Sequence, residues 1–236
     1  MSKVKCRKCN DTGWEKLIKD KKEYLKKCTC RKLEILKDKC ISANIPVKFA
    51  GYMLENFGTE NGDESLIRLV DIANNFINNY PAGKGIILHG ETGRGKTHLL
   101  SAISTEIFKR YPASDIYYID WNDMVREMKS GESHTFRDFQ VINNTIDRMS
   151  KADLLIIDEL GASSPSQWVR DNIYYIINHR YNRQKITLFA TNYFDESIDG
   201  RPTLKEKVGD RIRSRIFEMA KSYNLSGIDY RQKYKD

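Results

Sequence analysis

Short, wholly apolar runs punctuate this chain, and between them apolar residues recur every three or four positions. Ile86-Ile87-Leu88, Leu154-Leu155-Ile156-Ile157 and Leu188-Phe189-Ala190 have no polar position within them, the pattern of strands covered on both faces. Residues 115–120 form another strand of this set, and residues 222–236 predict a strand followed by a polar tail. Residues 64–80 place Leu66, Leu69, Val70, Ala73, Phe76 and Ile77 on one helical face, and Leu99, Leu100, Ile103 and Ile107 repeat the period after the first run. Further helices are predicted over 121–129, 139–149, 168–182 and, as one continuous helix, 204–219. Strands alternating with helices specify an α/β domain with a parallel sheet between helical layers.

Ahead of this alternation the pattern changes. Residues 31–39 suggest a short linker helix that Pro46 ends. The first 40 residues hold 14 Lys/Arg against 6 Asp/Glu and so carry all of the formal +8 charge, leaving the remainder balanced. Such a block suits nucleic acid, an acidic protein face or plain solvation. Hydrophobic content of 40% is ample for a core. The absence of a signal-type apolar region near the start, with no aliphatic run longer than 154–157, predicts a cytoplasmic protein with reduced thiols and no membrane association.

In a reducing compartment the cysteines read as metal ligands. Cys6-Arg-Lys-Cys9 and Cys28-Thr-Cys30 are two close pairs separated by turn residues Asp11-Thr12-Gly13, so a hairpin would bring four soft ligands around one Zn2+. A module this small needs such a staple to fold. Cys40 stands apart as a small apolar residue. The division expected is a zinc-binding module and linker over 1–45, then an α/β domain over 46–236.

The run at 86–88 leads into Gly90-Glu91-Thr92-Gly93-Arg94-Gly95-Lys96-Thr97-His98. Strand, Gly-x-x-x-x-Gly-Lys-Thr and helix in that order make a phosphate-binding loop. Its glycines let successive N–H groups turn inward around phosphates, and the helix adds unpaired donors and its positive end. Lys96 would reach the β- and γ-phosphates of ATP, and the Thr97 hydroxyl would bind Mg2+. The run at 154–157 delivers Asp158 and Glu159 at its carboxyl end, where such sheets place ligand chemistry. Asp158 would hold Mg2+ directly or through water, and Glu159 would orient or deprotonate the attacking water. Asn192, after the run at 188–190, is either a γ-phosphate contact or a turn residue. Aromatics over 49–57 could sandwich an adenine or simply pack in the core.

The succession of residues 90–97, Asp158-Glu159, Thr191-Asn192, Gly209-Asp-Arg-Ile-Arg-Ser-Arg215 and Asp229-Tyr-Arg231 resembles the AAA+ ATPases of the DnaC/DnaI helicase-loader type. Lys-Thr-His98 and Arg-Tyr181 fit that group, and the cysteine pairs are similar to a zinc-bearing head found in some loaders. The resemblance implies a sheet order of 5-1-4-3-2, Walker A at Lys96 and Thr97, Walker B at Asp158 and Glu159, and a first sensor at Asn192. It also implies an arginine finger at Arg215 with Arg211 one turn before it, a second sensor at Arg231, and a helical insertion over 121–150 used against single-stranded DNA. The stretch after residue 220 is too short for the usual helical lid, which bears on Arg231. As partners it implies a DnaB-type replicative helicase, single-stranded DNA and further copies of the chain. Two other readings stand beside it: an IstB-like transposition ATPase acting on duplex DNA, and an adaptor gated by ATP without hydrolysis.

Overall fold

The computed structural model describes residues 6–19, 21–57, 64–130, 136–197 and 199–225. An antiparallel hairpin of β1 (Trp14–Lys19) and β2 (Lys22–Lys27) comes first, followed by α1 (Thr29–Ser42). The main body then runs α2 (Glu64–Asn79), β3 (Gly85–His89), α3 (Lys96–Arg110), β4 (Ile116–Asp120), α4 (Trp121–Ser130), α5 (Phe136–Lys151), β5 (Leu154–Asp158), α6 (Gln167–Asn182), β6 (Ile186–Thr191), α7 (Leu204–Val208), α8 (Asp210–Met219) and β7 (Ala220–Asn224).

The five-stranded sheet is parallel throughout and ordered β4-β5-β6-β3-β7. Numbered from the phosphate-loop strand in chain order and read from the other edge, this is 5-1-4-3-2. The wholly apolar runs take the three central places, where every residue of β3, β5 and β6 is buried. Alternate residues serve opposite layers. Ile86, Leu88, Ile156 and Leu188 pack with α2, α3 and the end of α1, whereas Ile87, Leu155, Ile157 and Phe189 pack with α4, α6 and α8. This two-sided demand is why these strands lack the polar alternation of a half-exposed sheet.

Two elements differ from the expectation. The helix expected over 204–219 is two helices, because Gly209 breaks it with φ of 91°, a left-handed conformation that L side chains rarely adopt. Helix α1 extends beyond 31–39, and its C-terminal half joins the main core. Cys40 is fully buried there, its Sγ 3.5 Å from Thr105 Oγ1 on α3, and the Tyr118 N–H on β4 donates to Ala43 O at 2.8 Å. The helix that begins among the paired cysteines is therefore packed against the helix that begins at the phosphate loop.

Candidate nucleotide site and cysteine cluster

Strands β3, β5 and β6 end side by side, so the residues following each of them meet at the carboxyl edge of the sheet. Gly93 and Gly95 both have φ of 83°, and α3 starts immediately after Gly95, aiming its first N–H groups into the loop. Lys96 is buried, and its Nζ donates to Gly90 O (2.6 Å), Glu91 O (2.8 Å) and Asn192 Oδ1 (2.7 Å). The ammonium thus spans the loop and the end of β6. Thr97 Oγ1 donates to Asp158 Oδ2 at 2.6 Å, pairing the first turn of α3 with the end of β5.

Glu159 has φ of 51°. A left-handed glutamate costs energy, and it persists here because its N–H donates to Asp158 Oδ1 (2.8 Å) and its carbonyl accepts from the Ala162 N–H (2.9 Å). The turn presents Glu159 beside Asp158 on one wall of a cavity of about 580 Å3. Thr92 to His98, Asn192, Lys48, Phe49 and Tyr52 complete the lining. Of the aromatic stretch, Phe49 and Tyr52 therefore face the cavity. Phe57 is buried, with its ring stacked 4.3 Å from His98, while Tyr52 meets His98 edge-on at 4.2 Å. Burial holds the His98 imidazole down to about 4, so the ring is neutral at physiological pH.

The remaining expected residues have other settings. Glu91 is gripped by Arg94 (2.8 Å) and by Arg201 (3.0 Å) from the loop after β6; Arg201 first, then Arg94, holds its carboxyl below the ordinary range. Glu91 and Arg94 open onto an adjoining cleft of about 650 Å3 that also includes Tyr193, Phe194 and Arg201. Arg215 lies on α8, its guanidinium 4.3 Å from the Tyr181 ring centre and 3.2 Å from Glu218 Oε1. Arg211, one turn earlier, stacks on Tyr174 at 4.0 Å. Neither lines the cavity around Lys96. Arg231 lies outside the described residues, as do residues 131–135 between α4 and α5.

Two residues carry weight that the sequence reading did not assign. Tyr118 on β4 donates its hydroxyl to Asp158 Oδ2 at 2.7 Å. Arg180 on α6 is completely buried and donates to Met149 O and Ala152 O (both 2.8 Å), Ile186 O (2.6 Å) and Thr187 Oγ1 (2.9 Å). It fastens the entries of β5 and β6, whose far ends carry Asp158 and Asn192. Burial lowers the guanidinium to about 9, so it stays charged at neutral pH.

The hairpin closes as the cysteine spacing requires. Cys6 Sγ lies 3.8 Å from Cys28 Sγ, Cys9 Sγ lies 3.5 Å from Cys30 Sγ, and all four sulfurs fall within 4.8 Å of one another. A tetrahedron with metal–sulfur bonds of about 2.3 Å has edges of about 3.8 Å, so the four residues fit Zn2+. Gly13 donates its N–H to Cys9 Sγ at 3.3 Å, an outer contact of the kind that orients a thiolate. Hydrogen bonds from the Cys9 and Lys8 backbones bring the Cys6 thiol down to about 7. At the other site the glycine cradle, Lys96, Thr97 and the two acids suit a nucleoside triphosphate with Mg2+.

The profile of the family described as IstB-like ATP binding protein matches residues 56–236. The chain belongs to this family. It is similar to the replicative helicase loader DnaI of Bacillus subtilis (strain 168), 29% identical over 179 residues, which cover 72% of this chain and 55% of that protein. It is 25% identical to the phage-like element PBSX protein XkdC of the same strain, over 94% of this chain and 82% of that protein. The chain thus spans about half the length of DnaI and most of XkdC. A crystal structure of the DnaC helicase loader superposes with a TM-score of 0.62 at 26% identity, covering 77% of this chain and 100% of that one. The replication initiator DnaA bound to AMPPCP and single-stranded DNA shares the fold, with a TM-score of 0.60 at 23% identity over 78% of this chain and 51% of that one. The fold is that of a P-loop AAA+ ATPase, and no helix among the described residues is long and apolar enough to cross a membrane.

Proposed function

We propose that this family member uses ATP binding and hydrolysis to place a DnaB-type replicative helicase on single-stranded DNA. The observation that carries the reading is the joining of two sites by packed helices. Lys96 and Thr97 face Asp158, Glu159 and Asn192 across one cavity, while α1, packed against α3, begins in a four-cysteine cluster. Similarity to DnaI and to the DnaC loader supports the same assignment.

In this reading Lys96 exchanges its contacts with Gly90 O and Glu91 O for the β- and γ-phosphates, and Asn192, already bonded to Lys96, reports the γ-phosphate to the β6 loop. Thr97 and Asp158 would hold Mg2+, which would supply neutralisation of the phosphate charge. Glu159 orients the attacking water and accepts its proton. Arg215 serves the nucleotide of a neighbouring copy, in keeping with its position away from the cavity of its own chain. The hairpin module binds Zn2+ and grips the helicase, and residues 121–150 meet single-stranded DNA.

A transposition ATPase remains as a second reading because the matching family is described as IstB-like. ATPase rates measured with single-stranded and duplex DNA separate the two. The loader reading expects stimulation by single strands, with affinity that falls steeply as salt rises. Stimulation by duplex alone would overturn it in favour of transposition.

A further inference from the structure

Asp158 is 2% exposed, so protein donors must stand in for the water its carboxylate has lost. Three do so. Oδ1 accepts from the Glu159 N–H, and Oδ2 accepts from the hydroxyls of Thr97 and Tyr118. A carboxylate has about four acceptor directions, two on each oxygen. Both directions of Oδ2 are therefore occupied by hydroxyls, and one direction on Oδ1 remains.

Thr97 belongs to the phosphate loop and Glu159 to the adjoining turn, but Tyr118 has no part in either motif. It reaches Asp158 because β4 and β5 run parallel in register, Tyr118 opposite Ile156 and Asp120 opposite Asp158. Tyr118 thus shares a sheet face with Asp158 from two positions further back, a diagonal that an aromatic side chain can span. The phenol is 5% exposed, and its backbone N–H is fixed to Ala43 O at 2.8 Å, so it has little freedom to turn away. Asp120, nearer along the same strand, is engaged elsewhere: its Oδ1 accepts from the Asn122 and Asp123 N–H groups at the start of α4.

We propose that Tyr118 is a positioning residue for the metal, occupying Asp158 Oδ2 so that Asp158 meets Mg2+, or a water bound to it, through Oδ1 alone. Without the phenol hydroxyl, Oδ2 regains a free direction and the carboxylate can rotate about its terminal bond. The pre-set geometry is then lost while the phosphate cradle is untouched. This inference rests on the reading of Asp158 as the magnesium residue.

Tyr118→Phe in the full chain tests it, with binding of a fluorescent ATP analogue measured in EDTA and across a Mg2+ titration. The expected result is metal-free nucleotide affinity within about twofold of the parent, with the Mg2+ concentration for half-maximal tightening raised about tenfold, the effect typical of removing an outer partner of a metal ligand. Mn2+ affinity of the nucleotide complex, read by electron paramagnetic resonance, should weaken in parallel. An unchanged metal titration would overturn the proposal. So would equal weakening with and without metal, or a variant that does not fold, since either gives the hydroxyl a purely structural role. If the parent protein itself shows no Mg2+ dependence of nucleotide binding, the magnesium reading of Asp158 fails as well, an outcome distinct from a change confined to the variant.

Discussion

Replacing Arg180 with methionine removes a charged fork from the interior while keeping an unbranched stem in its place. Five acceptors lose this donor: the carbonyls of Met149, Ser150, Ala152 and Ile186 and the hydroxyl oxygen of Thr187. Each buried acceptor left without a partner costs about 1–3 kcal/mol. Against this, the variant no longer carries a guanidinium out of water, a relief of several kcal/mol. The net loss expected is about 4 kcal/mol, within the range of about 3–5 kcal/mol for removing one partner from a buried charged network. For a chain of this size it corresponds to a fall in melting temperature of about 8–16 °C. Urea unfolding followed by circular dichroism measures it. Arg180→Lys should recover only part of the loss, because an ammonium cannot reproduce the planar fork. Nucleotide affinity well below the transition should change little, since Arg180 touches the entries of β5 and β6 and not their catalytic ends. A loss below about 1 kcal/mol would refute the reasoning and mean that the carbonyls find other donors.

The remaining predictions concern the two sites. Lys96→Ala should abolish binding of a fluorescent ATP analogue, whereas Glu159→Gln should bind it normally and lower steady-state turnover by about 100-fold or more, as expected for removing a general base; native turnover in the latter would remove Glu159 from that role. His98 is held neutral, with its folded-state value depressed to about 4 from 6.5. Below pH 6.5 the unfolded chain takes up a proton that the folded chain refuses, so this contribution to stability is present above pH 6.5 and is lost as pH falls towards 4. The stability-against-pH curve of His98→Phe should be flatter across that window, and an identical slope would contradict the burial argument. Freshly purified protein should contain about one Zn2+ per chain by atomic emission, and Cys28→Ser should lose it while retaining ATP binding. Metal-free native protein would count against the cluster as a zinc site.

Much of this architecture was legible because the central strands must be apolar on both faces and the phosphate loop must follow one of them. Ile86-Ile87-Leu88 and the residues at 154–157 could be placed in the middle of a sheet from their composition alone, and Asp158 and Asn192 followed at the ends of their strands. The break at Gly209 was obscured because Leu204, Val208, Ile212 and Ile216, all buried, keep a four-residue spacing across it. The edge strand β7 is short and polar, with buried Ala220 followed by exposed Lys221 and Ser222, and gives no alternation to read. Side-chain partnerships were the least legible. Tyr117-Tyr118 offers two phenols, and only the register with β5 decides which of them reaches Asp158. The Arg-Tyr181 pair fits the loader group, but nothing in it shows what Arg180 bonds to, because the carbonyls it satisfies come from segments about 30 residues earlier and a few residues later in the chain. The dihedral of Glu159 had no sequence signal, since glutamate rarely adopts positive φ.

ATP-dependent placement of a replicative helicase is tested most directly on closed circular single-stranded DNA, which a ring cannot thread without being opened. The replicative helicase of the same organism is mixed with this protein and the circle, and helicase that remains with the DNA after a high-salt wash is quantified. Retention is expected with the parent protein and ATP, and background retention with Lys96→Ala or without nucleotide. Retention that is the same with and without this protein would contradict it.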